Sequence, residues 1–523
     1  MSAKPAQAVP LRHPRTTFRD ITRRLLLGAL VCAPLSVSFA EEDQAISRLP
    51  GTEQQVALEQ LLAGLPSDPT AEQLSYQLPS ARAKVSKRTM FSSQVGSWPF
   101  EPFVHNGLFR VIASYQSSHP QALQIAAGQI DLAQLHRAVA NPEILRPHKD
   151  GYLLSYPLLI GADATLLVEN TTLYLNSNSG SALINQGQLL LRHALVQSWS
   201  GTQAEDILAE NDQPGFRPFI VSWAGSFTLV ENSTLSRLGY NSYLARGLSA
   251  ARSVEQGKRV APARLWLRHS LFDQLSTALD ASSALLRVDD SRFERLQQYA
   301  LDISDSQLQV QGNRIDQVRN NSGIRIRGRS SGRIEDNVIS NIGKAGIEVL
   351  GQRGDLLLAG NLLGAMAGNA IQLRDSGAEG TLLVLRNHIL NSGYSGIDAV
   401  DVKRAYVAEN RISSVPEYAI SFRHPAAGGD RLVLTGNSLG HTGKALIRVA
   451  GQNSLILGDN QFHLAPPHQK VLAGDLLPLQ SLLLDALRAP GCFIEVRPHL
   501  SGKKPPANPH AAPSFANGCA DKG

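Results

Sequence analysis

The chain is poor in several things that would otherwise narrow its chemistry. Only three cysteines occur in 523 residues. Cys32 lies in an N-terminal leader, which leaves Cys492 and Cys519 to close one disulfide around the C-terminal tail or to stay as free thiols. No Cys/His cluster has ligand spacing, and no carboxylate cluster, phosphate loop or serine triad stands out, so neither a metal nor another cofactor is expected. Aromatics make up 6% of the chain, against 43% hydrophobic residues overall, a balance that suits an aliphatic interior. Excess charge is also scarce. Of the formal +6, residues 1–40 supply six cations (Lys4, Arg12, Arg15, Arg19, Arg23, Arg24) against Asp20, a net +5, so the rest of the chain is near +1. A nucleic-acid partner is therefore not supported.

The leader pairs its basic stretch with an apolar run from Leu25 to Ala40 that Pro34 interrupts, and it ends in Ser38-Phe-Ala40. This is the pattern of a cleaved secretory signal, too short and too broken to remain as a membrane span. The chain is therefore expected to be periplasmic and not an integral membrane protein. Thr22-Arg-Arg leaves both general and twin-arginine export open.

What is abundant is a repeat. Asn, any residue, then an apolar residue recurs from Asn313, Asn337, Asn361, Asn387, Asn410, Asn437 and Asn460, at intervals of 23 to 27 residues. Gly323, Gly346, Ala370, Gly396, Ala419 and Ala445 follow at eight to ten residues, each leading a short apolar alternation. The leucine-rich frame is missing and no segment of the stretch holds a helical period. The fold class is thus all-β, a right-handed parallel β-helix with aliphatics stacked inside and an Asn ladder along one turn. A small α/β cap is expected at the N-terminal end and a helical cap at the C-terminal end, because an open solenoid exposes its interior and a strand edge. The expected divisions are 1–40 signal, 41–150 lead-in and cap, 151–470 β-helix, 471–500 C-terminal cap and 501–523 disordered tail. Within the cap, Leu132–Val139 reads as a helix and Leu108–Ala113 as a strand. Helical spacing also covers Gln54–Leu65 and Leu476–Leu487.

Strand alternation separates interior from surface. With Ile324 and Ile326 inward, Arg325, Arg327 and Arg329 face out, and the equivalent outward position in successive coils is Asp302, Arg325, Glu348, Gln372 and Asp398. Such a row is either an ordinary solvated face, with the arginines paired to Glu348 or Glu335, or a groove for an extended anionic polysaccharide.

Three segments carry a family resemblance: Gly180-Ser-Ala-Leu-Ile-Asn-Gln-Gly-Gln-Leu, Phe216-Arg-Pro-Phe-Ile-Val-Ser-Trp-Ala-Gly-Ser226 and Leu238-Gly-Tyr-Asn. Weaker likeness runs through Pro120-Gln-Ala-Leu, Tyr152-Leu-Leu-Ser-Tyr-Pro-Leu and Phe493-Ile-Glu-Val. Over roughly residues 85–497 the chain resembles the periplasmic mannuronan C5-epimerases of alginate-producing bacteria. The resemblance implies a β-helix enzyme that takes the C5 proton from a uronate and returns one from the other face. In that family an Asp-Pro-His motif supplies an aspartate and the basic histidine, and an arginine one coil later holds the substrate carboxylate. Here the motif reads Asp302-Ile-Ser304, so the aspartate is kept and the histidine is not. Arg327, with Arg325 and Arg329 nearby, stands where the arginine is expected.

Asp302, Arg327 and Tyr299 are accordingly the catalytic candidates. Arg325, Arg329, Glu348, Gln372, Asp398 and Tyr240 are the substrate-binding ones. Tyr299 and Tyr240 serve as bases only if an arginine lowers their pKa, and His193, His269 and His424 are other places for a base. The expected partner is an anionic polysaccharide, together with proteins of an exopolysaccharide export complex. Three functions remain open: an epimerase with a relocated base, a silent binding groove, and a lyase.

Overall fold

Short apolar alternations separated by left-handed turn residues wind the chain into a parallel β-helix. The computed structural model describes residues 46–49, 51–64, 74–92, 97–201, 215–252, 260–426, 428–463, 470–486 and 493–497. The expected signal, residues 1–40, and the expected disordered tail, residues 501–523, lie outside the described residues, as do Cys492 and Cys519. About 12 turns stack in parallel register, and each contributes one strand to each of three walls. In one representative turn Tyr299–Ser304 belongs to the first wall, Gln307–Gln311 to the second and Arg314–Val318 to the third. These strands pair with Ile324–Arg327, Ser331–Glu335 and Val338–Ile342 of the next turn.

Alternate residues of every strand point into the bore. Ile324, Ile326, Ile334, Ile339, Ile347 and Val349 are all fully buried there. Each coil covers its neighbours' apolar surface, so stability accumulates coil by coil rather than in one globular centre.

The expected Asn ladder is present and continuous. Asn313, Asn337, Asn361, Asn387, Asn410 and Asn437 each donate their amide to the next rung's Oδ1, ending on Asn460, at 2.9–3.0 Å. The same Oδ1 also receives the preceding rung's backbone N–H, for example Asn337 N to Asn361 Oδ1 at 3.1 Å. Upstream the ladder goes on with serine: Ala194 N donates to Ser233 Oγ, Ser233 N to Ser270 Oγ, Ser270 N to Ser291 Oγ, and Ser291 N to Asn313 Oδ1. The residue just before each of these rungs has a positive φ, including Asp290 (45°), Asp336 (54°) and Asp459 (48°), with glycine at Gly312, Gly360 and Gly436.

Both ends of the bore are closed. The helix Leu132–Val139 forms where the sequence places it, started by a capping box between Asp131 and Gln134, and it buries Leu132 and Leu135 in the N-terminal end of the interior. Leu108–Ala113 is a correction: the segment is part of a helix, Leu108–Tyr115, not a strand. Leu108 and Ile112 are four apart and both fully buried, so the packing selects the helical face that a short apolar run leaves ambiguous.

At the other end Leu476 and Leu483 fill the bore, with a helix over Gln480–Ala486. Phe493–Val496 pairs antiparallel with Gln452–Gly458 of the second wall, and Ile46–Leu49 then pairs with Phe493–Val496. That stretch near the chain's start thus protects the C-terminal strand edge. The helix Gly51–Gly64 lays Leu58 and Leu62 on the second wall's outer face, against residues such as Leu383, Tyr406 and Val433.

The outer face of the first wall changes character along its length. Its first outward positions, Leu159, Ile184 and Val221, are apolar and sealed beneath Phe100, Phe103, Leu108 and Ile112. Ser249 follows, then Asp280, where the charged part of the wall begins.

Candidate functional site

Pairing register places Asp280, Asp302, Arg325, Glu348, Gln372, Asp398, Ser421 and Arg448 in one line across successive first-wall strands. The five positions read from the sequence, Asp302 to Asp398, therefore do form one row, and it runs further at both ends. At about 4.8 Å per strand, the five steps from Arg325 to Arg448 span about 24 Å.

Asp302 is the centre of the first cluster. It sits in an outward position yet is fully buried, because guanidinium groups roof it over. Arg325 engages it with two parallel bonds, Nε to Oδ1 at 2.9 Å and Nη2 to Oδ2 at 2.5 Å. Arg327 Nη2 lies 3.1 Å from Oδ1, and Arg246 Nη1 lies 3.4 Å from Oδ2 and 3.3 Å from Asp280 Oδ2. One buried carboxylate thus organises three cations, with Asp280 as a second acid at the edge. Burial, then the neighbouring Asp302 charge, raises the Asp280 pKa.

Arg325 also lies over the Tyr299 ring, its Cζ 4.1 Å from the centroid. Burial raises the Tyr299 pKa despite the opposing pull of Arg325. The phenol is therefore a proton donor at neutral pH rather than a base. Tyr240 lies elsewhere: its hydroxyl donates to the Asn106 backbone carbonyl, its ring packs against Phe216, and burial pushes its pKa upward.

The other candidates spread along the row. Glu348 accepts from Ser322 Oγ at 2.9 Å. Asn369 Nδ2 reaches Gln372 Oε1 at 3.4 Å. The side chain of Arg329 is exposed, and its backbone N–H donates to Asp305 Oδ1. Asp398 centres a second cluster, accepting from Arg374 at 2.7 Å and from Arg423 at 3.1 Å.

Arg246, Asp280, Arg374, Arg423 and Arg448 escaped the sequence reading. Arg374 and Arg423 share the register line of Arg327, two residues beyond the main row, so the alternation already contained them. Arg448 appears once the row is carried two coils past Asp398. Arg246 lies just ahead of its strand, where periodicity says nothing.

The histidines are placed as follows. His193 and His269 hold left-handed turn positions, at φ 48° and 49°, ahead of the ladder. His424 is buried beside Asp401, with 3.7 Å between Nδ1 and Oδ1, and burial lowers its pKa. Among the described residues no histidine hydrogen-bonds or ion-pairs with Asp302, Arg325 or Arg327. Among them, too, no group of three or more His, Cys, Asp or Glu is arranged to hold a metal ion, and no helix is long and apolar enough to cross a membrane.

Fold and wall together define a parallel β-helix with a track of guanidinium and carboxylate groups on one outer face. A family model described as periplasmic copper-binding protein (NosD) matches residues 288–463, within the regular coils. In sequence the chain is 31% identical over 136 residues to the mannuronan C5-epimerase of Pseudomonas aeruginosa, covering 26% of this chain and 25% of that one. It is 28% identical over 165 residues to mannuronan C5-epimerase AlgG of Azotobacter vinelandii, covering 31% of each. These matches span about a quarter to a third of the relatives' own length. In structure it resembles the crystal structure of the periplasmic alginate epimerase AlgG, with a TM-score of 0.67 at 19% identity over 77% of this chain and 98% of that one. The chain is thus similar to mannuronan C5-epimerases over part of its sequence, and its fold is like that of the periplasmic alginate epimerase AlgG.

Proposed function

We propose that this protein is a periplasmic, mannuronan C5-epimerase-like protein that takes an alginate-type polyuronate along its first wall, during synthesis and export of the polymer. The observation that carries the reading is the guanidinium cluster around Asp302, at the two successive coils where the epimerase resemblance expects its aspartate and its arginine. C5 epimerisation needs a cation to hold the uronate carboxylate so that negative charge can develop at C5. It also needs a base on one face of the ring and a proton donor on the other. Arg325, Arg327 and Arg246 supply the cationic ground, and Tyr299 supplies a protonated hydroxyl beside it.

A second reading, a groove that holds or guides polymer without changing it, is favoured by Ser304. This residue stands two positions after Asp302, where the motif histidine would be, and its Oγ donates to the Ala281 carbonyl at 3.5 Å. Polymannuronate incubated with the protein in heavy water and followed by NMR separates the readings. Deuterium at C5 with new guluronate signals supports epimerisation. Binding without exchange supports the silent groove, and unsaturated chain ends mark a lyase. No binding of polyuronate at all overturns the proposal.

A further inference from the structure

Two sites on the charged row share one arrangement, an arginine of the next coil lying over a tyrosine ring. At the first, Tyr299 lies three residues before Asp302, and Arg325 of the next coil covers the Tyr299 ring at 4.1 Å. At the second, Tyr418 lies three residues before Ser421, and Arg448 of the next coil covers the Tyr418 ring at 5.3 Å; Lys444 Nζ also lies 5.6 Å from that ring centroid. Asp302 and Ser421 occupy the same register position beneath their arginines. Arg325 is held bidentately by the Asp302 carboxylate. Arg448 has no acidic partner among the described residues, and Ser421 Oγ, in a residue 1% exposed, has no hydrogen-bond partner.

From this contrast we infer that Arg448, Tyr418 and Ser421 form a carboxylate-binding subsite at the far end of the track, one that receives a uronate carboxylate where Asp302 supplies its own at the other end. The inference rests on the polyuronate reading and specifies where a chain that lies along the wall is gripped. A guanidinium resting on an aromatic face is oriented in advance, so less side-chain freedom is lost when a planar carboxylate docks. The buried serine hydroxyl offers that carboxylate a donor. The charge balance agrees: Asp302 and Asp398 are each already compensated by neighbouring guanidiniums, whereas the Arg448 charge is left for a ligand.

The test is calorimetric binding of mannuronate trimers and octamers to the full chain and to two variants. Arg448→Ala removes the cation. Ser421→Asp rebuilds the Asp302 arrangement at a position whose equivalent already accepts aspartate, and it occupies Arg448 from within. Wild type is expected to bind octamer more tightly than trimer. Each variant is expected to weaken octamer binding by about tenfold, the size of one charge-assisted contact, with an unchanged circular dichroism spectrum. A neutral glucan octamer should show no difference among the three proteins. Octamer affinity within twofold of wild type in Arg448→Ala overturns the subsite while leaving the polyuronate reading standing. Failure of wild type to bind either mannuronate oligomer overturns both.

Discussion

Asp302→Ala is expected to make the fold weaker and the grip on polyanions stronger. The carboxylate is fully buried and receives bonds or ion contacts from Arg325, Arg327 and Arg246. Removing one member of a buried ion cluster leaves the others uncompensated and costs about 3–5 kcal/mol when they too are buried. Here the guanidiniums retain 19%, 40% and 29% side-chain exposure, so water and salt recover part of that loss. About 2–3 kcal/mol is the working figure after this discount.

The same deletion frees Arg325 and Arg327 to take a substrate carboxylate, so affinity for polymannuronate should rise by about tenfold at low salt. Urea unfolding and calorimetric binding on the same preparations read both quantities. Hydrogen exchange adds a local reading, because a solenoid need not unfold as one unit; faster exchange should centre on 299–327. A variant as stable as wild type, or one whose affinity falls along with its stability, would refute the idea that Asp302 holds the cations in waiting.

Asn361→Ala breaks one rung that makes four bonds, two accepted from Asn337 and two donated to the Ile334 carbonyl and Asn387. It should cost about 2–4 kcal/mol by urea unfolding. Asn361→Ser should recover part of this, as the upstream rungs are serine. His424 has a folded pKa depressed by burial, so the stability it contributes is present above the free-histidine pKa of 6.5 and is lost as pH falls through the folded value. Hydrogen exchange at 401–452 should therefore accelerate on acidification in wild type and not in His424→Leu. Asp280 has the opposite sign, a raised folded pKa, so its favourable contribution is lost as pH rises. Asp280→Asn should gain stability at neutral pH and lose that advantage in acid, which paired urea titrations would show. Tyr299→Phe keeps the ring under Arg325; if deuterium exchange at C5 occurs in wild type, this variant should abolish it while binding stays within about twofold.

The coils and their inner and outer faces were legible because period and alternation are backbone properties that every coil repeats. Ile324 and Ile326 point into the bore for the same reason that Arg325 and Arg327 point out. The Asn rungs were legible because one residue type recurs at one interval. Their serine continuation at Ser233, Ser270 and Ser291 was not, since a hydroxyl accepts the same backbone N–H without repeating the asparagine signature. The helix at Leu108–Tyr115 depended on what lay beneath it, and a short apolar run carries no record of that. Side-chain choice within the outer row was hidden in the same way. Register names the neighbours of Asp302, but only the folded chain shows that Arg325 takes it in preference to Glu348, and that Arg246 arrives from outside the repeat.

The charge arrangement of the first wall bears on what a bound polymer would meet. An unpaired row of arginines spaced at about 4.8 Å would repel itself at every coil. Seating Asp302 and Asp398 among pairs or triads of guanidiniums removes most of that repulsion, and it leaves each cluster with a surplus of positive charge. The remaining field is weak, spread along the wall and directed outward, which favours reversible contact with a long polyanion over tight capture of a single sugar. Turnover needs more than this field. A base must stand opposite the Tyr299 hydroxyl, and Ser304, the residue at the motif position, is a neutral hydroxyl whose proton is directed to the Ala281 carbonyl. Restoring the imidazole with Ser304→His is therefore the decisive gain-of-function experiment. If the wall already holds a uronate in the productive pose, C5 deuterium exchange should appear in this variant or rise well above wild type. If binding persists and exchange stays at the wild-type level, the track holds polymer in a pose that does not present C5 to residue 304.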